Sequence, residues 1–252
     1  MVTTLPRLAP HLEFMSADLR ARLKPLCDKV LREFPKLPPL RLLCFFDNEE
    51  LEQLQHQGYF IGISAGTTGI HTPVLGGGTW PHHVSKYFFD SHAEQFAFDD
   101  LIYIPQSRYA QAKVSFVIIF AHELQHFVQR GLVPRIAEAN RLLLWNLAKF
   151  DPNTELKPWS LPDNREAMIV AKRVAEAVCG TEAVRDFVAA QIVDGKNNNN
   201  VSKAHLWMWV QTLTPSTPYN LLKETDLLVQ KYKLQLQQLK SDIDFSTVKW
   251  WL

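Results

Sequence analysis

The sequence has few cysteines and glycines and no long hydrophobic run, and each shortage excludes a class of protein. Its 252 residues include 3 cysteines, Cys27, Cys44 and Cys179, which lack Cys-x-x-Cys spacing. That pattern argues against a disulfide scaffold and favours a reducing compartment. With 10 glycines and 15 prolines, the composition is neither collagen-like nor of low complexity. The most apolar run, Val114 to Ala121, is far shorter than the ~18 residues that a membrane span needs.

The chain also lacks an excess of charge of either sign. Lys and Arg number 27 against 26 for Asp and Glu, which gives a net charge of +1. A nucleic-acid-binding protein or one that binds an anionic membrane surface usually carries a basic excess, so we expect neither partner. The first residues also lack the charged start and apolar stretch of a signal peptide. We therefore expect a soluble cytoplasmic protein, of unknown oligomeric state, that binds neither nucleic acid nor a membrane.

Patterning divides the chain into a strand-rich part, 1–106, and a helical part, 107–252, which we interpret as a single α+β domain over 1–252. In the first part, Ser16 is placed to cap a helix running to about Phe34. The Gly-rich stretch from Gly66 to Trp80 has no helical period and is predicted to be a loop. The remaining predicted elements of this part are strands at 40–46, 59–63 and 101–104 and a short helix over about 47–56.

The second part is predicted to be almost entirely helical. Gly131 and Gly180 fall where helix C-terminal caps are expected. The predicted helices cover about 108–130, 136–149, 164–179, 182–193, 203–213 and 219–241.

One segment of the second part carries a chemical signature. His122 and His126 are four residues apart, so on a helix both imidazoles leave the same face, one turn apart. That spacing lets two neutral ring nitrogens reach one metal ion. Glu123 projects beside the histidine row, where a carboxylate can contact a metal-bound water. The alternative interpretation is a pair of hydrogen-bonded core histidines with an exposed Glu123.

This H-E-x-x-H segment resembles the active-site helix of the zincin metallopeptidases. In that family a strand precedes the helix, and here the strand would be Asp100 to Ile104. Zincins can hold a peptide against such an edge strand by main-chain pairing. The resemblance covers about residues 98–180, and it implies that His122 and His126 bind Zn²⁺ while Glu123 acts as the general base.

The third zinc ligand distinguishes the zincin subclasses. A metzincin has Gly and His at the positions of Gln129 and Leu132, so that subclass is excluded. A thermolysin-like Glu about twenty residues after the second histidine is also missing. Glu166, followed by Ala in a fresh helix that Asp163 or Asn164 would cap, resembles the ligand of the glutamate-ligand zincins, including the small ImmA-like peptidases. The alternative is that Glu166 only favours the helix N-terminus through the dipole.

Other residues stay open as candidates for each role. Glu176 has Lys172 and Arg173 nearby, which favours a solvated ion pair. The remaining candidates for the third ligand are Glu138, Asp151 and His205. The candidates for stabilising the oxyanion are His71, His82, His83, His92, Tyr103 and Tyr219.

Together, the motif and the resemblance predict a zinc-dependent metallopeptidase. Zn²⁺ held by His122, His126 and Glu166 would activate a water for attack on a peptide carbonyl, with Glu123 taking the proton and passing it to the leaving amine. A narrow intracellular protein target fits the absence of a visible signal peptide. Two alternatives remain: a non-catalytic zincin-fold protein that regulates or binds a partner, and a zinc hydrolase acting on a non-peptide bond.

Overall fold

The computed structural model describes residues 9–46, 70–73, 100–104, 112–132, 143–144, 147–148, 155–157, 160–214, 216 and 218–242. The elements with defined bounds in these ranges make an α+β fold, which confirms the predicted class. The strands are β1 (His11–Phe14), β2 (Leu42–Phe46), β3 (Ile70–Pro73) and β4 (Asp100–Ile104). The helices are α1 (Ala17–Arg32), α2 (Lys113–Leu132), α3 (Pro162–Cys179), α4 (Thr181–Asn197), α5 (Val201–Thr212), α6 (Leu221–Lys231) and α7 (Lys233–Asp242).

The first helix begins where its sequence predicts. Ser16 has an extended backbone, and its hydroxyl accepts the N–H of Leu19 at 3.2 Å, which satisfies one of the free donors of the first turn. Leu19, Leu23, Cys27 and Val30 recur at helical spacing and are all buried, so they form the inner face of α1.

The four strands form one sheet in the order β1-β2-β4-β3. β1, β2 and β4 are mutually parallel, and β3 runs antiparallel to β4. Every residue of β2 and β4 is buried, which explains why Leu42–Phe46 and residues 101–104 read as continuous apolar runs without alternation, although β4 begins with the buried Asp100. The two middle strands, β2 and β4, are therefore covered on both faces and lie inside the core.

Two expectations about the strands are wrong. β4 was expected to be the edge strand beside a cleft, but it pairs with β2 on one side and β3 on the other. The edge position belongs to β3, which lies inside the Gly-rich stretch that was predicted to be a loop. Its strand conformation follows from pairing with β4, because a four-residue segment shows no periodicity of its own. β1 was not predicted, for the same reason.

Helix α2 packs on the sheet through aromatic side chains. The ring of Phe46 on β2 contacts Phe116 and Phe120 on α2 at centroid distances of 5.8 and 5.5 Å, and it stacks on Phe14 of β1 at 4.8 Å. On its other side α2 packs on α3, and this contact is the most extensive between any two described elements. The helix is consequently buried on nearly all sides.

The helical part matches its predicted order but differs at several helix ends. α2 continues through Gly131 to Leu132, so the C-terminal cap predicted at Gly131 is wrong. α3 begins earlier than predicted, at Pro162, and its N-cap is Leu161 without a side-chain cap, so neither Asp163 nor Asn164 caps it. The helix predicted over 219–241 divides at Tyr232 into α6 and α7. An apolar cluster separate from the main core joins residues of 143–161 to the region where α6 and α7 meet. Its members are Leu143, Leu144, Leu147, Leu156, Leu161, Tyr232 and Leu236.

Some predicted elements lie outside the described residues: the short helix over 47–56, the strand over 59–63 and most of the helix over 136–149. Among the described helices, none combines the length and the hydropathy required to cross a bilayer.

Candidate metal site

The H-E-x-x-H motif lies in the second half of α2, as predicted. His122 is 8% exposed and Glu123 is 4% exposed, whereas His126 is half-buried. Glu123 is therefore buried, so the exposed Glu123 of the core-histidine alternative is wrong, whereas the hydrogen-bonded histidine pair of that alternative is not contradicted. Burying ionisable groups on an otherwise apolar helix is unfavourable unless they gain partners, so the site must compensate for this cost locally.

The two imidazoles converge. Their Nε2 atoms are 3.0 Å apart, with ring centroids at 4.6 Å and ring planes at 86°. Two nitrogens that bind one tetrahedral zinc at ~2.0–2.1 Å would lie roughly 3.3–3.4 Å apart. A separation of 3.0 Å therefore requires only a small opening of the pair to admit an ion. The same distance also suits a hydrogen bond between two neutral rings.

Burial sets the protonation of both acidic and basic groups here. The pKa of His122 is held well below its usual value, chiefly by burial and then by the neighbouring His126, while the side chain of Asn164 acts in the opposite direction. Burial raises the pKa of Glu123 to about 8. In the metal-free protein His122 is therefore neutral at pH 7, and Glu123 is mostly protonated. A cation at the two Nε2 atoms would favour the ionised form of Glu123, which a general base needs.

A buried amide connects the histidines to α3. Gln129, only 2% exposed, presents its Oε1 to His126 Nδ1 at 2.9 Å. Its Nε2 donates to the backbone carbonyl of Asp163 at 2.9 Å and to Glu166 Oε2 at 2.8 Å. Gln125, one turn earlier, donates to the same Glu166 oxygen at 3.2 Å. These hydrogen bonds connect the first turn of α3 to the face of α2 that carries His122 and His126.

The structure brings Glu166 to this face but not into one cluster with both histidines. Among the described residues, no group of three or more His, Cys, Asp or Glu side chains is arranged to hold a metal ion. Glu166 reaches the histidines through Gln129, and its Oε2 is held by the two glutamine amides. Its role as third ligand stays a prediction.

The other candidate ligands are placed elsewhere or not described. Glu176 is 3.4 Å from Lys172, as predicted, but both side chains are only 12% exposed, so this ion pair is not a solvated one. His205 is exposed on α5, apart from the buried pair. Glu138 and Asp151 lie outside the described residues.

The candidates for stabilising the oxyanion also either lie away from the histidine pair or fall outside the described residues. Tyr103 is fully buried in β4 and stacks on Phe45, as part of the sheet core. Tyr219 lines a pocket of about 240 Å³ beside the first turn of α3, and neither histidine lines that pocket. The Tyr219 hydroxyl is buried without a hydrogen-bond partner among the described residues, and burial raises its pKa. His82, His83 and His92 lie outside the described residues, as does the side chain of His71.

The role of Gln129 was not predicted from the sequence, where this residue only excluded the metzincins. A signal was available, because Gln129 continues the face of His122 and His126 at helical spacing. A polar amide at that place in an apolar helix indicates a buried hydrogen-bond partner.

Comparisons of the chain with protein-family models, with curated protein sequences and with solved structures found no match.

Proposed function

We propose that this protein is a zinc-dependent metallopeptidase that acts on a narrow protein target. The observation that carries the proposal is the convergence of the His122 and His126 Nε2 atoms at 3.0 Å on a buried helix. Two further observations support it. Glu123 is buried next to the pair, and Glu166 is held by hydrogen bonds at the same helix interface.

His122, His126 and Glu166 would hold the ion. Zinc bound there would polarise a peptide carbonyl and lower the pKa of a water towards ~7. Glu123 accepts the proton of the attacking water and delivers it to the nitrogen of the leaving amine. Burial raises the pKa of Glu123 and a bound cation would lower it, so the two effects together would suit a base that takes up a proton near neutral pH and then releases it.

The same proposal places the protein in the cytoplasm. Cys27, Cys44 and Cys179 are all free thiols, the state expected in a reducing compartment.

The test measures zinc content and peptide cleavage on the same purified samples. Wild-type protein, Glu123→Gln and His126→Ala are supplied with zinc, freed of excess and analysed by mass spectrometry, then screened against a peptide library. We expect about one zinc per chain and cleavage in the wild type. Glu123→Gln should keep the zinc but lose cleavage, because the general base is gone, and His126→Ala should lose both.

Two results would contradict the proposal. Cleavage by Glu123→Gln at the wild-type rate would exclude Glu123 as the base. A wild type that binds no zinc would exclude the hydrolase and leave a non-catalytic partner-binding protein. Circular dichroism of each variant separates loss of zinc from loss of fold.

A further inference from the structure

Gln129 lies between the histidine pair and α3, and its hydrogen bonds have a defined direction. A backbone carbonyl can only accept, so the Gln129 atom that faces the carbonyl of Asp163 must be the amide nitrogen. The other amide atom, Oε1, then faces His126 Nδ1 at 2.9 Å. An amide oxygen can only accept, so His126 Nδ1 must carry a hydrogen.

This assignment fixes the tautomer of neutral His126. With the hydrogen on Nδ1, the Nε2 atom has a lone pair directed at His122. The 3.0 Å contact between the two Nε2 atoms then requires neutral His122 to be the donor. Its own Nδ1 is then the ring nitrogen without a hydrogen; it makes no hydrogen bond of normal geometry among the described residues, and the Asn164 side chain is the neighbour that would favour a hydrogen on His122. The two histidines of one motif thus carry opposite tautomers in the metal-free protein.

We propose that Gln129 is a positioning residue that holds His126 in the Nδ1–H tautomer, so that the Nε2 lone pair of His126 is available as a metal ligand. His122 is then the histidine that changes tautomer when metal binds. The inference rests on the proposed metal site. On binding, His122 loses the hydrogen from Nε2 and gains one on Nδ1, so the net protonation of the pair does not change. Partners that fix the orientation of a ligand histidine are commonly worth 10–100-fold in metal affinity.

Gln125 provides a matched control on the same helix. Its amide donates to the same Glu166 oxygen, at 3.2 Å, but makes no hydrogen bond to either imidazole in the described structure. Gln125→Met therefore removes one amide from Glu166, whereas Gln129→Met removes the other amide together with the contacts to His126 and to the Asp163 carbonyl. The tautomer of His126, read in each variant, separates the link to His126 from the link to α3.

The first measurement needs no variant. Two-bond proton–nitrogen NMR spectra of metal-free protein with labelled histidine distinguish the tautomers, with His122→Ala and His126→Ala used to assign the signals. We expect the Nδ1–H tautomer at His126 and the Nε2–H tautomer at His122. On zinc addition we expect the tautomer to change at His122 and to stay Nδ1–H at His126. Nε2–H at His126 in the metal-free wild type would overturn the inference.

The second measurement is zinc affinity by competition with a chelator. Gln129→Met should shift His126 towards Nε2–H and weaken zinc binding 10–100-fold, while Gln125→Met should keep the His126 tautomer and bind within a few-fold of the wild type. Equal losses in both variants would overturn the positioning role. The expected tautomers together with no zinc binding by the wild type would instead overturn the proposed function and the metal role of Gln129, while the hydrogen-bond chain would stand.

Discussion

Glu123→Gln in the metal-free protein should raise stability in a way that depends on pH. Glu123 is 4% exposed, and burial raises its pKa from 4.5 to about 8. The unfolded chain ionises this carboxyl above pH 4.5, whereas the folded protein keeps it protonated until about pH 8. Wild-type stability therefore falls across this window as pH rises, because ionisation stabilises only the unfolded state.

The size of the effect follows from the shift. One unit of pKa difference is worth about 1.4 kcal/mol, and the penalty accumulates with each pH unit above 4.5. At pH 5 the variant should gain less than about 1 kcal/mol over the wild type, and at pH 7 about 3 kcal/mol. Gln at 123 has nearly the same shape and no charge at any pH, so the difference between the two proteins isolates this carboxyl.

Urea unfolding at pH 5, 6, 7 and 8 in the presence of a chelator measures the difference directly. Glu182→Gln is the matched control, because the Glu182 side chain is 87% exposed and therefore lacks the burial on which the expected effect depends. A difference between Glu123→Gln and the wild type that stays constant from pH 5 to pH 8 would refute the reasoning. Glu123 would then be solvated or paired in the folded protein, and its burial could not supply a base tuned to neutral pH.

Two further predictions concern the fold. Ser16→Ala should lower the free energy of unfolding by about 1 kcal/mol, because Ser16 caps α1; an unchanged urea midpoint would show that the cap is not needed. Gly195→Ala should cost about 1–3 kcal/mol, because its new Cβ would lie 2.8 Å from the backbone nitrogen of Ala204 on the facing helix. Wild-type thermal stability of Gly195→Ala would mean that α4 and α5 separate without loss.

The elements predicted from sequence are those whose signals are local. α1 has a capping serine and apolar residues at helical spacing, β2 is apolar throughout, and β4 is apolar after Asp100. β1 and β3 have four residues each, and their conformation comes from hydrogen bonds to strands distant in the chain. No local pattern could reveal them, and the same holds for the position of β4 inside the sheet.

In the candidate site, too, the local features could be predicted from sequence and the contacts between distant segments could not. The spacing of His122 and His126 predicts the converging imidazoles, because an α-helix converts four residues into one turn. The hydrogen bond between Gln129 and Glu166 spans 37 positions and depends on how α2 crosses α3. A crossing angle is decided by side-chain packing over a whole interface, so sequence could nominate Glu166 but could not identify its partners.

The pairing of parallel strands that are distant in the sequence also affects how the chain folds. Phe46 and Ile104 are paired neighbours, yet they are 58 positions apart in the chain. α4 and α5 are joined by three residues and pack directly on each other. Because closing a long loop costs entropy before any contact is gained, we expect this helical hairpin to form early and the sheet to form slowly. α2 rests on Phe46, so the histidine pair should reach its final geometry only in the last phase of folding.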